Sequence, residues 1–214
     1  RVDEVNEADE IAVWTGNLWS FVTEPFIVVD DFESYDDDDN VIYETWIDGW
    51  VNDTGSVVGY IDSPFAERRI VRTGAQSMPL HYDNSASPFY SETERVFDTA
   101  QDWTTYGADS LIVYIQGVAP SEDGTDSGNA PEPLYLVVED SAGNTAMAAN
   151  LDTTLSTTAE WQPWRIPFSE LAGVDMSRVE SIVIGVGSRT SPTAGGAGVI
   201  FVDDVSYGRP ATTE

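Results

Sequence analysis

Apolar and polar residues alternate with a period of two along most of this chain, in short runs rich in β-branched and aromatic side chains, and no segment keeps apolar positions at helical spacing for more than about two turns. The runs FIVVDDFE (26–33), VIYETWI (41–47), ERRIVR (67–72), QSMPLHYD (76–83), ETERVFD (92–98), SLIVYIQG (110–117), LYLVVED (134–140), TAMAAN (145–150), EWQPWRIPF (160–168), VESIVIGVG (179–187) and GVIFVDDVSY (198–207) therefore read as strands. Turn chemistry separates them. SAGN after LYLVVED is a tight hairpin turn, while APSEDGTDSGNAPEP (119–133) and TSPTAGGAG (190–198) are long polar loops. Helical hints are confined to SEL (169–171) and DMSRV (175–179). The pattern predicts an all-β fold, a two-sheet antiparallel β-sandwich of the jelly-roll kind.

At 214 residues one sandwich accounts for the length. The expected division is an N-terminal extension or linker over 1–25, a sandwich over 26–208 and a tail over 209–214. The extension is acidic at first and then aromatic, and Trp14, Trp19 and Phe21 are expected to pack on the sandwich or on a neighbouring domain or copy of the chain. The chain begins at Arg1 without a charged and then apolar leader, so any signal peptide is expected to be absent from this sequence or already removed. No stretch approaches the roughly 18 apolar residues of a membrane span.

Composition narrows the chemistry. There is no cysteine, which excludes disulfides, thiolate nucleophiles and Cys-ligated metals. All nine basic residues are Arg, so lysine Schiff bases and a P-loop lysine are excluded as well. With 38 acidic residues and a formal charge of -29, the chain repels phosphate backbones and anionic bilayers, and nucleic acid is not an expected partner. A lysine-free acidic surface suits a salty, calcium-containing medium; ordinary acidic drift in a secreted protein is the alternative.

Three stretches carry a family likeness: DDFE at 30–33, WQPWRIPFSELAGVDMSRVESIVIGVG at 161–187 and IFVDDVSYG at 200–208. In this order they resemble calcium-containing jelly-roll carbohydrate-binding modules, family 11 and the galactose-binding-like sandwiches among them, and the related sandwich of complex I intermediate-associated proteins. FESYDDDDNVIYETWIDGWVN and GAQSMPLHYDN also resemble a domain of large secreted proteins of marine bacteria such as planctomycetes. The resemblance covers residues 26–208 and implies a jelly roll, an extracellular location (secreted or cell-surface) and a structural calcium ion (Ca2+).

In a jelly roll the first and last strands can lie side by side, which would bring Asp31 and Glu33 near Asp203 and Asp204. The resemblance favours Asp31 and Glu33 as first-strand contributors, with Gly74 lending a carbonyl. Such oxygens suit a hard cation that takes roughly six to eight of them, although alternation lets only one member of each Asp pair face a given ion. The competing reading is that these acids merely solvate strand ends. Asp36 to Asn40 offers D-x-D-x-N spacing, but Val41 and Ile47 stand where an EF-hand loop needs Gly and Glu, so this run reads as a solvated turn or a weaker second ion site.

Nothing in the sequence singles out a catalytic carboxyl pair, and the lone His81 follows no nucleophile motif. The chain is expected not to be an enzyme. Seven Trp and nine Tyr supply flat apolar faces of the kind on which sugar rings lie. Trp46 and Trp50 in TWIDGW, and Trp103 and Tyr106 in QDWTTYG, are the stacking candidates; Tyr82 could join them, with His81, Asp83 and Asn84 bonding to hydroxyls. Trp161 and Trp164 match core positions in the resemblance. The expected function is noncatalytic binding of a neutral polysaccharide. The alternative is a calcium-stabilised surface or filament subunit that self-associates through residues 1–25.

Overall fold

A computed structural model describes Glu4–Val5, Val13–Trp14 and residues 26–209. Glu4–Val5 (β1) and Val13–Trp14 (β2) form a two-residue antiparallel ladder. The expected packing of the Trp14, Trp19 and Phe21 side chains and self-association through 1–25 lie outside the described residues, as do positions 210–214.

The remaining strands build two antiparallel sheets. They are β3 (Phe26–Asp30), β4 (Trp46–Ile47), β5 (Ser56–Val58), β6 (Met78–Asp83), β7 (Tyr90–Gln101), β8 (Ser110–Gln116), β9 (Leu134–Asp140), β10 (Thr145–Asn150), β11 (Gln162–Pro167), β12 (Val179–Gly187) and β13 (Ala197–Gly208). One sheet runs β10-β9-β12-β7-β4; the other runs β11-β8-β13-β6-β5, with β3 also on β13. Alternation fills the space between them. Leu134, Leu136 and Val138 of β9, with Ile182, Ile184 and Val186 of β12, face Leu111, Val113 and Ile115 of β8 and Ile200 and Val202 of β13 in one buried cluster. Each such side chain contributes about 1.5–3 kcal/mol when fully buried.

Two segments differ from the sequence reading. ERRIVR is not a strand; it makes a single bridge, Glu67 to Ser77, because the Glu67 carboxylate accepts the N–H groups of Arg69 and Ile70 and bends the chain into a turn. VIYETWI divides into one helical turn, Ile42–Thr45 (α1), and the short β4.

A buried carboxylate links the two sheets. Asp30 ends β3 in the second sheet, and its Oδ2 accepts from the Trp46 indole at 2.8 Å, the Tyr35 hydroxyl at 2.6 Å and the Arg95 guanidinium at 2.5 Å. Trp46 and Arg95 belong to β4 and β7 of the first sheet, where they pair in register. Oδ1 accepts the Phe32 N–H at 2.8 Å. Burial, followed by the charge of Asp30, pushes the Tyr35 hydroxyl well above its ordinary range, so it stays a donor.

Asp30→Ala should cost roughly 3–5 kcal/mol in urea unfolding, because it leaves the Arg95 charge without its buried partner. A loss below about 1 kcal/mol would show that the link carries little.

Candidate functional site

The local fold turns one aromatic cluster outward. After β4, Asp48 caps the four-residue helix Gly49–Asn52 (α2): its Oδ1 accepts Trp50 N–H at 3.0 Å and its Oδ2 accepts Val58 N–H at 2.8 Å. The cap fixes the backbone and leaves the side chains of Trp50 and Val51 in solvent, Trp50 at 83% exposure. In the edge strand β5, Ser56 and Val58 point inward, so Val57 points out beside its register partner His81. Gly59, at φ +80, then reverses the chain into Tyr60 and Ile61.

That loop is tied down at several points. Tyr60 N–H donates to Phe65 O at 2.9 Å, and the Tyr60 hydroxyl donates to the Glu67 carboxylate. Asp37 accepts Phe65 N–H at 2.9 Å and pairs with Arg68 at 3.0 Å. Ile61 stands at the tip, 93% exposed.

The result is two adjoining clefts. One, of about 400 Å³, is walled by Tyr43, Trp50, Val51, Val57, Tyr60 and Ile61. The other, of about 500 Å³, shares Val57, Tyr60 and Ile61 and ends on Asp62 and His81. Tyr43 meets Phe65 edge-on at 5.3 Å, and Tyr60 meets His81 edge-on at 5.8 Å. Burial lowers the His81 pKa, so the imidazole is neutral near pH 7. Trp50, Val51 and Ile61 thus stand in the open around the clefts rather than in the core, the kind of exposed apolar patch that makes a candidate binding surface.

Of the residues expected from the sequence to meet a ligand, Trp50 and His81 come together here. Trp46 does not, for it is fully buried with its indole N–H on Asp30. Trp103 is also fully buried, stacked on Tyr207 at 5.5 Å with its N–H on Gln101. Tyr82 faces the core and donates to Ala130 O at 2.6 Å. Asn84 is buried between Val186 O and the Ser91 hydroxyl. These four are structural, a correction to the sequence reading. Asp83 is exposed and accepts from Ser85, and Tyr106 is exposed on a 3-10 turn; neither lines the two clefts. Trp164 is buried as expected, whereas Trp161 is only half-buried. Tyr43, Val51, Val57, Tyr60 and Ile61 were not legible as site residues. The available signal was an aromatic and a branched aliphatic residue set in a Gly- and Pro-flanked turn, GYIDSP.

The other face of the first sheet carries a smaller cluster, Tyr135, Val137 and Val183, with the Tyr135 ring lying over Gly185. Its charged centre is already satisfied, since Glu92 accepts from Arg189 and from the Tyr135 hydroxyl at 2.6 Å.

The carboxylates expected to hold calcium do lie around one corner, where β13 changes partner from β6 to β3 and Asp204 takes φ +47. Their oxygens face donors. Asp203 accepts the backbone N–H groups of Arg72, Thr73 and Asp204, and Asp204 accepts the Arg72 guanidinium and the Thr73 hydroxyl. Glu33 accepts Ala75 and Gln76 N–H, seated so closely that a Cβ on Gly74 would come within 2.3 Å of it. Asp31 accepts Glu33 N–H at 3.2 Å. A guanidinium, packed over the Tyr114 ring at 3.3 Å, thus stands where a cation was expected. As arranged, this donor set does not fit calcium, and no group of three or more His, Asp or Glu among the described residues is placed to hold a metal. The acidic run is also more than a solvated turn: Asp36 Oδ1 accepts the N–H groups of residues 38, 39 and 40, and Asp37 anchors the loop that carries Tyr60.

No protein-family model matches the chain, and no curated protein matches it by sequence. Among solved structures it is similar to an exo-β-agarase, with a TM-score of 0.56 and 14% identity over 86% of this chain and 25% of that one. The chain therefore spans a quarter of that enzyme's length. It also overlaps a family 30 carbohydrate-binding module (TM-score 0.49, 14% identity, 73% of this chain and 92% of that one) and an agarase, AgWH50C (TM-score 0.46, 9% identity, 78% and 24%). At these identities the first likeness is one of fold: an antiparallel β-sandwich that another protein carries as part of a longer chain.

Two measurements test the corner. Melting temperature should be the same in EDTA and in millimolar calcium; a calcium-dependent rise of several degrees would show that the carboxylates rearrange around an ion. Burial pushes Asp203 up to about 6, with Asp204 adding to the rise and the backbone donors opposing it. A carboxyl raised above its unfolded value, about 3.9, stabilises the fold when protonated, so its contribution is complete below pH 4 and is lost as pH rises through about 6. Between pH 7.5 and 5 the melting temperature should therefore rise more in the wild type than in Asp203→Asn. Equal slopes would place the titration elsewhere.

Proposed function

We propose that this chain is a noncatalytic module of an extracellular protein that binds a neutral polysaccharide in the cleft walled by Trp50, Tyr43, Tyr60 and Ile61. The observation that carries this reading is the solvent-facing Trp50 ring beside other aromatic and aliphatic faces. Pyranose rings offer apolar C–H faces, and burying them against flat aromatic surfaces is favourable without any charge on the ligand. Trp50 also has no structural task that explains an exposed indole, since the turn is held by Asp48.

Charge supports the choice of a neutral glycan. A chain at -29 repels sulfated and uronic polymers at low and moderate salt, and no Arg among the described residues lines the clefts to offset this. The likeness of the fold to part of an exo-β-agarase is in keeping with a glycan ligand.

Affinity electrophoresis through gels containing agarose, mixed-linkage β-glucan, galactan or xylan should show retardation by at least one of them. Trp50→Ala should weaken it tenfold or more, about 1.4 kcal/mol, with an unchanged melting temperature because the side chain is exposed. Retardation that survives Trp50→Ala, or none in any neutral gel, would sink the proposal.

A further inference from the structure

The Trp50 cleft does not end at Tyr60. Tyr60, Ile61 and Val57 are common to both clefts, so these side chains form a shared ridge with Trp50 on one side and His81 on the other. A ligand confined to the first cleft would leave the second, of about 500 Å³, unused.

His81 is unlike the other polar groups around it. Its register partners on both sides, Val57 of β5 and Val199 of β13, are apolar. The Tyr60 hydroxyl is spent on Glu67 and both Asp48 oxygens on backbone N–H groups. The imidazole is half-buried, with its edge-on contact to Tyr60 at 5.8 Å orienting the ring, and no hydrogen bond to the described residues takes up its nitrogens. Neutral imidazole offers one donor and one acceptor. A sugar hydroxyl is likewise both, so the match needs no charge on the ligand, whereas a half-buried polar group left unpaired by a wrong ligand costs affinity.

Resting on the reading of the Trp50 cleft as a saccharide surface, we propose that the two clefts form one groove for at least two consecutive units of a neutral polysaccharide chain, and that His81 is its specificity-determining residue. Trp50 takes the face of one unit; the chain crosses the Tyr60–Ile61 ridge; His81 bonds a hydroxyl of a later unit. The exposed carboxylate of Asp62, lining the same cleft, is a further acceptor and turns acidic sugars away from this end.

Isothermal titration calorimetry with cello-, laminari-, xylo- and agaro-oligosaccharides of one to six units tests the proposal. In the series that binds, affinity should rise at least tenfold between the single sugar and the longer chains. His81→Ala should lower affinity about five- to tenfold for the longer chains and leave the single sugar unchanged, whereas Trp50→Ala should weaken both. His81→Gln, whose amide keeps a donor and an acceptor, should retain more affinity than His81→Phe, which keeps the ring but no nitrogen; this comparison stands even if the Ala variant folds poorly. Length-independent affinity, or a His81→Phe variant that binds long chains as the wild type does, overturns the groove while leaving the Trp50 cleft intact. No binding by the wild type to any of the four series overturns both.

Discussion

The arrangement of the whole molecule depends on a charge that should not be buried unless it is matched. Asp30 sits in the seam between the sheets, and an ionised carboxylate there is tolerated only when its lone pairs are filled. Indole, phenol, guanidinium and amide donors fill them. The donors come from three stretches of chain, so satisfying one carboxylate fixes where β3, the turn after it, β4 and β7 meet. The Trp50 cleft inherits that placement within a few residues: Trp46 is held inward by Asp30, Asp48 caps the next turn, and Trp50 is left pointing out.

The same economy recurs on the surface. A chain with 38 acidic residues and no lysine has few cations with which to neutralise itself, and it uses its own backbone and hydroxyls instead. Asp83, Asp102, Asp152 and Asp175 each accept from the Ser or Thr two positions on, or from its backbone N–H. Those bonds hold the four carboxyls below their ordinary range. Each tightens the turn at which it sits. Three Arg take harder tasks, as the buried or bidentate partners of Asp30 and Glu92 and in the closure of the β13 corner.

How far the sequence reaches follows from what periodicity encodes. Alternation and short β-branched runs bounded by turns revealed the long strands, because strands that pack against a core carry those patterns. Alternation could not separate Trp46 from Trp50, four residues apart in TWIDGW, since one ends fully buried and the other in water only because a helical turn and its Asp48 cap lie between them. ERRIVR looked like a strand because of its β-branched Ile70–Val71 pair, yet one glutamate side chain accepting two backbone amides was enough to bend it. The acids of the β13 corner were legible as a set. Their partner was not, for nothing in the order of residues says that Arg72 folds back across more than half the chain to reach Asp204.

The Asp48 cap separates two duties that proteins often combine in the same side chains. Backbone geometry at the cleft is set by a buried carboxylate beneath it, so the side chains at 50 and 51 are not needed to hold the turn together. Their identities are free to change without endangering the sandwich. A surface built this way can drift among related ligands over evolutionary time, and can be randomised in the laboratory, while the scaffold that presents it stays the same.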